Sequence, residues 1–298
     1  MKYEDAMAIK QDFYEISEPT ADDEFLFTEA LGELIEMTKD PKNMAELAWF
    51  YCGRKRFDLE QKYLEMAAEC GYGPAFEELG YMYYYGQNGD KDYAKAFECY
   101  RKGAEPDRYG NQGSLWCKFK IADMYRYGCH VAQDEAKYRE LIEEAYEAVK
   151  NPIYLNEPFP EIAYRLAGIR ADQGETEEAI TLLRRGKRFM AERLSYDVFW
   201  GNLEVMGRIV RKMYRLTPFD ADEADFYDLF HLTQTPGVYS FTRNRCTTLL
   251  IVSGEGEDRA IECEGRFYRD FADFCAKATV DGRKVTELYD EFYDVGEV

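Results

Sequence analysis

The sequence has few of the residues that most often carry out chemistry. It contains only two histidines, His130 and His231. No two of its eight cysteines are closer in sequence than Cys117 and Cys129, which are too far apart for a CxxC zinc or redox motif. Most of the cysteines lie in apolar surroundings, which is typical of buried, reduced thiols. The sequence therefore predicts no metal, no cofactor and no catalytic residue, and we expect a protein that is not an enzyme.

Long apolar runs and positive charge are also scarce. No stretch is long and apolar enough for a membrane helix, and no secretory signal follows Met1. Together with reduced cysteines, this favours a cytoplasmic location. The 58 acidic residues outnumber the 38 basic ones and give a net charge of −20. A molecule this negative repels other polyanions, so we expect neither DNA nor an anionic membrane as a partner.

Core-forming side chains are abundant by contrast. Hydrophobic residues make up 46% of the chain, with 25 tyrosines and 19 phenylalanines, which excludes a disordered protein. A chain of 298 residues is long enough for about two domains, each with its own core.

One short pattern recurs along the chain. It combines an apolar residue, a small residue, a tyrosine and a glycine, and it appears with identical spacing at 79–86 and 121–128. Weaker copies begin at Leu47 and Leu166. Self-similarity at about 30 to 45 residues is the signature of a helical repeat array.

Each repeat unit is predicted to be a pair of antiparallel helices. In the second copy, Pro74 suits the first turn of a helix and Asp92 can cap the next one. Gly80 stands where another helix must approach closely. Because one pair leaves apolar faces uncovered, the units are expected to stack.

The pattern over about 43–190 resembles the Sel-one-like repeat family, a relative of the tetratricopeptide repeat. The fourth copy is equally similar to a tetratricopeptide repeat. The resemblance implies an α/α superhelical solenoid and an interaction scaffold for other proteins. The matching residues are Leu47, Tyr51 and 67–71 in the first copy; Ala75, Leu79, Gly80, Tyr83, Gly86, Asp92, Lys95, Ala96, Ala104 and Glu105 in the second; Ile121, Ala122, Tyr125, Gly128, Val131, Asp134 and Lys137 in the third; and Leu166, Ala167, Glu178 and Ala179 in the fourth.

The flanks complete a mostly α-helical organisation in two parts. Residues 1–216 are predicted to form the helical array, with two leading helices at 3–16 and 20–38, about four helix pairs and a closing helix at 197–214. Residues 221–298 are predicted to form a small α+β module that caps the array, and they resemble no family. Its predicted elements are a β-hairpin of 246–253 with 260–264 and two helices at 268–278 and 284–293.

Candidate binding residues lie on the first helices of the repeats, off the stripe that forms the core. Trp49, Tyr81 and Tyr84 either pack against the adjacent repeat or line a groove that captures a partner, and aromatic residues are enriched at interfaces. His130 is expected in a turn and His231 in core or interface packing. The full predicted partner-binding set is Glu46, Trp49, Glu78, Tyr81, Tyr84, Asp123, Arg126 and Arg165.

These observations predict a non-enzymatic scaffold or adaptor that binds a partner protein or peptide. A cationic partner suits the net charge, and an inhibitor or immunity-type role is included. The alternative is an enzyme or small-molecule-binding protein whose site lies in the C-terminal module and uses His231, Asp225 or Asp228. The basic clusters at 184–188 and 208–215 either pair with acidic helices or form a patch for an acidic peptide or RNA. The sequence leaves the partner and the oligomeric state open.

Overall fold

The computed structural model describes residues 1–149, 159–254 and 256–298, apart from the side chain at 257. The chain divides into two compact units, Met1–Ala145 and Tyr146–Val298, which are described separately below. Among the described residues, no helix is both long and apolar enough to cross a membrane.

The first unit is built from consecutive helices, as the repeat pattern predicts. The two leading helices are confirmed, although the first ends three residues before the predicted position 16. The helices are α1 (Tyr3–Phe13), α2 (Ala21–Thr38), α3 (Pro41–Gly53), α4 (Phe57–Glu69), α5 (Gly73–Tyr85), α6 (Tyr93–Gly103), α7 (Leu115–Tyr127) and α8 (Glu135–Val149), of which α8 begins in this unit.

Local capping chemistry sets the ends of these helices. The Thr20 side chain accepts from the Asp23 backbone and Asp23 bonds back to Thr20, which forms a capping box at the start of α2. Asp92 caps α6 as predicted. Gly86 and Gly128 end α5 and α7 in the left-handed conformation that glycine adopts without strain. The repeat motif therefore carries its own start and stop signals.

The small residue of the motif allows helices to approach closely. A Cβ atom at Gly80 would lie 2.5 Å from the ring of Tyr100, which is buried on α6. The equivalent residues Ala48, Ala122 and Ala167 are all fully buried. The close approach expected from the sequence is therefore present at the α5–α6 contact.

After the end of α8, the second unit continues with three described helices. They are α9 (Pro160–Asp172), α10 (Thr176–Tyr196) and α11 (Trp200–Leu216). The predicted closing helix at 197–214 thus starts later and ends later than expected. Asp197 is not helical; its backbone and side-chain oxygens accept from the amide of Asn202.

The C-terminal part of the second unit carries a five-stranded sheet. The elements are α12 (Leu229–Leu232), β1 (Gly237–Arg243), β2 (Cys246–Ser253), β3 (Ala260–Cys263), β4 (Arg266–Tyr268), α13 (Phe271–Lys277), β5 (Thr279–Val280), β6 (Arg283–Lys284) and β7 (Tyr293–Glu297). The strand order is β4-β3-β2-β1-β7, and the predicted hairpin of β2 with β3 is confirmed as an antiparallel pair.

The helix predicted at 284–293 is wrong. That segment contains the end of β6, two single 3₁₀ turns and the start of β7, which pairs with β1. Its buried residues Val285, Leu288 and Phe292 recur at helical spacing, which explains the error. The predicted helix at 268–278 is shorter and begins after its cap, Asp270.

One hydrophobic core joins α10 and α11 to the sheet of the second unit. Leu194 of α10 and Met206 and Val210 of α11 lie in the same buried cluster as Phe226 and Phe241. The division at 216–221 and the capping role of 221–298 stay predictions.

Candidate partner-binding surface

The predicted binding residues of the first unit lie at equivalent positions of α3, α5 and α7. Trp49 and Tyr81 occupy the same position of successive repeats and are 45% and 36% exposed. They therefore do not belong to the core, which was one of the two alternatives. The third equivalent residue, Asp123, is buried. We refer to Trp49, Tyr81 and the exposed Tyr85 as the aromatic surface.

Tyr85 extends this surface toward α7. Its ring lies 4.5 Å from that of Tyr81, and its hydroxyl accepts from Lys120 Nζ at 2.7 Å. Tyr84 differs, because its half-buried ring packs against Tyr93 and Tyr100 at 5.2 and 6.4 Å. The structure thus places Tyr84 in the packing between α5 and α6, whereas Tyr81 and Tyr85 face solvent.

Glu46 is already paired with charged and polar groups of α1. Its carboxylate accepts from Lys10 Nζ at 2.5 Å and from the Tyr14 hydroxyl at 2.7 Å. Burial and the bond to Glu46 raise the pKa of Tyr14. Glu46 therefore serves the α1–α3 contact.

The two predicted arginines make contacts within their own units. Arg126 donates to the Tyr138 hydroxyl at 3.1 Å, and its guanidinium lies over the Tyr138 ring. Arg165 lies on α9 in the second unit, where it donates to the Glu161 carbonyl at 2.9 Å. Arg165 therefore belongs to a different unit from the other seven residues.

A buried pair of carboxyl groups lies at the contacts of α3, α4 and α5. Glu60 is only 1% exposed, and its carboxylate is hydrogen-bonded to the Cys52 thiol. Its second oxygen, Oε2, has no hydrogen-bond partner among the described residues. Glu78, a predicted site residue, is half-buried and interacts electrostatically with Glu60. We call Glu60 and Glu78 the acid pair.

The surroundings of the acid pair disfavour negative charge. Burial, with the charges of Glu77 and Glu60, raises the pKa of Glu78 to about 7. Burial also raises the pKa of Glu60, and burial with the Glu60 charge raises that of Cys52 to about 12. Tyr81 responds to the same charges, since burial, Tyr85, Glu78 and Cys52 raise its pKa. The acid pair and the aromatic surface are thus electrostatically linked through Tyr81.

Sequence reasoning missed Glu60. Its counterparts in the next two repeats are Asp92 and Asp134, and each of them accepts from the backbone at the start of its helix. In the first repeat α4 begins about a turn earlier, so Glu60 lies inside the helix and faces inward. The sequence did not indicate the early start of α4, because no capping side chain marks it.

The second unit contains a cavity of about 550 Å³, a size typical of small-molecule sites. Its lining includes Asp225 and Asp228, two of the residues named for a C-terminal site. Both carboxylates bind the buried Lys187, at 2.8 and 2.5 Å from Nζ. The third, His231, stacks on Tyr214 at 4.7 Å, and its pKa is lowered by burial. These polar groups satisfy one another and connect α10 and α11 to the segment before the sheet.

The other chemical candidates also have structural explanations. His130 has a φ of 68°, which confirms its predicted place in a turn. In the cluster at 184–188, Arg184 pairs with Glu223 and Lys187 with Asp228, as expected for ion pairing. Within the described ranges, no group of three or more His, Cys, Asp or Glu side chains is arranged to hold a metal ion.

Comparisons with known proteins give the fold. No family model matches the chain, and no curated protein matches it. A solved Sel1 repeat protein from Oxalobacter formigenes matches with a TM-score of 0.51 and 19% identity, covering 66% of this chain and 71% of that one. An antigen with the Sel1-like repeat fold from uropathogenic Escherichia coli, c5321, aligns at 16% identity over 74% of this chain and 66% of that one. Its TM-score is 0.28, so the fold rests on the first likeness. The chain has the Sel1-like α/α repeat fold that the motif predicts, followed by a small antiparallel sheet.

Proposed function

We propose that the protein is a non-enzymatic scaffold that binds a peptide segment of a partner protein on the aromatic surface of α3 and α5. One observation carries the proposal: Trp49 and Tyr81 occupy the same position of successive repeats and both remain exposed. The Sel1-like fold suits such a role, because stacked repeats present equivalent side chains at regular intervals.

The chemistry of these side chains supports capture of a peptide. Trp and Tyr combine a large apolar ring with a polar edge and are the residues most enriched among interface anchors. Their neighbourhood is acidic, with Glu77 and Glu78 on the same helix. A segment with apolar and basic residues would therefore complement this surface. We also propose a more specific role, that of an inhibitor or immunity-type protein for a cationic partner. The proposed location is the cytoplasm.

Selection from a library of random peptides on the full chain tests the proposal. We expect peptides enriched on the unmodified protein to lose at least about tenfold in affinity for a Trp49→Ala/Tyr81→Ala variant, because such anchors contribute about 2 kcal/mol or more. A matched control is Tyr196→Ala/Phe267→Ala, which removes two exposed aromatic rings of the second unit.

Each outcome decides the proposal. Loss confined to the Trp49/Tyr81 variant supports it. Equal affinity of both variants for the enriched peptides, or no enrichment on the unmodified protein, overturns it. Circular dichroism of each variant checks that the loss is not caused by unfolding.

A further inference from the structure

We propose that the acid pair, Glu60 and Glu78, receives a lysine or arginine side chain of the peptide that lies on the aromatic surface. The inference rests on the proposed function and names the chemistry of one position in the bound segment. It assigns a role to Glu60, which the repeat motif does not.

The acid pair differs from the equivalent residues of the other repeats, because among the described residues no cation compensates its charge. The residues equivalent to Glu78 are Glu46, which pairs with Lys10, and Lys120, which donates to Tyr85. Within the part of the chain that the structure describes, no lysine or arginine pairs with Glu60 or Glu78. The charges that act on Glu78 are instead those of two further acids, Glu77 and Glu60.

The acid pair also contains a hydrogen-bond acceptor that is not used. Glu60 is only 1% exposed, yet among the described residues nothing donates to its Oε2. A buried carboxylate oxygen that accepts no hydrogen bond is costly unless a donor or a cation reaches it. Ammonium and guanidinium groups are pure donors, with three and five N–H bonds, and so match a pair that offers only acceptors. Glu78 is half-buried and is thus the member that a ligand reaches first.

Aromatic rings of the aromatic surface adjoin the acid pair. Tyr81 is exposed and lies within electrostatic reach of Glu78, while Trp49 is one helical turn before Cys52, the residue bonded to Glu60. Aromatic faces attract lysine and arginine cations. A divalent cation is a poorer occupant, since the described residues contain no group of three metal ligands.

The charged and titratable groups around Glu78 include no competing cation among the described residues. They are Cys52 on α3, Glu60 on α4, Glu77 and Tyr81 on α5, and Cys117 on α7. Without a ligand, Glu78 stays mostly protonated below about pH 7, because its pKa is about 7. A bound cation favours the ionised form, so binding releases a proton and strengthens as the pH rises through 7.

The experiment uses N-acetyl-arginine amide as the probe and its citrulline analogue as the uncharged control. The full chain carries ¹³C in its glutamate carboxyl groups, and NMR follows Glu78. With a pKa of about 7, ionised Glu78 rises from about one tenth to nine tenths between about pH 6 and pH 8. We therefore expect the arginine probe to bind about tenfold more tightly at the higher pH and the citrulline probe to show no such change.

Variants separate the acid pair from other negative charges. Glu78→Gln should abolish the pH-dependent binding, whereas Glu98→Gln, on the exposed face of α6, should leave it unchanged. No response of Glu78 to the arginine probe at the higher pH, or equal affinity at both pH values, overturns the inference. The unmodified chain supplies this result even if Glu78→Gln fails to fold.

The outcome is distinguishable from failure of the proposed function. If selected peptides require Trp49 and Tyr81 but the arginine probe leaves Glu78 unaffected, the inference alone is wrong. If no peptide depends on Trp49 and Tyr81, the proposed function is wrong.

Discussion

At the scale of single residues, Glu78 couples the pH to the stability of the first unit. Its folded pKa of about 7 lies above the ordinary value near 4.5. Between these values the folded state binds a proton that the unfolded state has lost, so the free energy of unfolding falls as the pH rises. Above about pH 7 the loss is complete and amounts to about 3 kcal/mol, because the buried group must then ionise.

Glu78→Gln should therefore stabilise the protein at high pH and not at low pH. We expect a gain of about 1 to 3 kcal/mol in the free energy of unfolding near pH 8, because the amide cannot ionise. Near pH 4, where the carboxyl is protonated in both states, the difference should vanish. Urea denaturation at both pH values measures it, with Glu98→Gln as the exposed control. A variant that is less stable than the unmodified protein near pH 8 would contradict the pKa given for Glu78.

The sequence predicted single residues well where the repeat pattern applies. It identified Trp49 and Tyr81 as side chains off the core stripe, and the structure shows both exposed, whereas Asp123 at the equivalent position is buried. It did not identify Glu60, because an acid near the start of a helix normally caps it or faces solvent. Its burial depends on where α4 begins and on the neighbouring helices, which the local sequence does not encode.

At the scale of elements, the contact between α5 and α6 depends on the missing side chain of Gly80. A methyl group there would lie 2.5 Å from the ring of Tyr100, which is 1% exposed and cannot swing into solvent without opening the core. The equivalent residues of the other repeats are buried alanines, so the demand for glycine is local to this pair.

Gly80→Ala should destabilise the protein by about 1 to 3 kcal/mol through overpacking. Gly32→Ala is a matched control in the middle of α2, where the added methyl group meets nothing within 4 Å. Because alanine favours helix over glycine, we expect the control to gain about 0.5 to 1 kcal/mol. Thermal denaturation of both variants gives opposite shifts if the packing is as described. Equal shifts would mean that Tyr100 moves aside freely.

The elements of the array were easier to predict than those of the C-terminal sheet. Helix caps such as Thr20 and Asp92 mark their own starts. The segment at 284–293 has no such signal, and its apolar spacing fits a helix as well as the turns and strand that form. Its β7 is specified by pairing with β1, about 50 residues earlier in the chain, which local patterns do not report.

At the scale of the whole molecule, a helical repeat array and a sheet share one chain of Sel1-like fold. The motif predicted the array because each repeat depends on its neighbours alone. The arrangement of the second unit was not predictable in this way, since its core combines α10 and α11 with the sheet. The fourth motif copy lies in this unit, on α9 and α10.

The most direct test of the account locates a selected peptide on the full chain. Hydrogen exchange followed by mass spectrometry compares the protein with and without that peptide. We predict slower exchange in α3 and α5, the helices that carry Trp49, Glu78 and Tyr81, and unchanged exchange in β1–β7. Slower exchange confined to the strands, with α3 and α5 unaffected, would contradict the account.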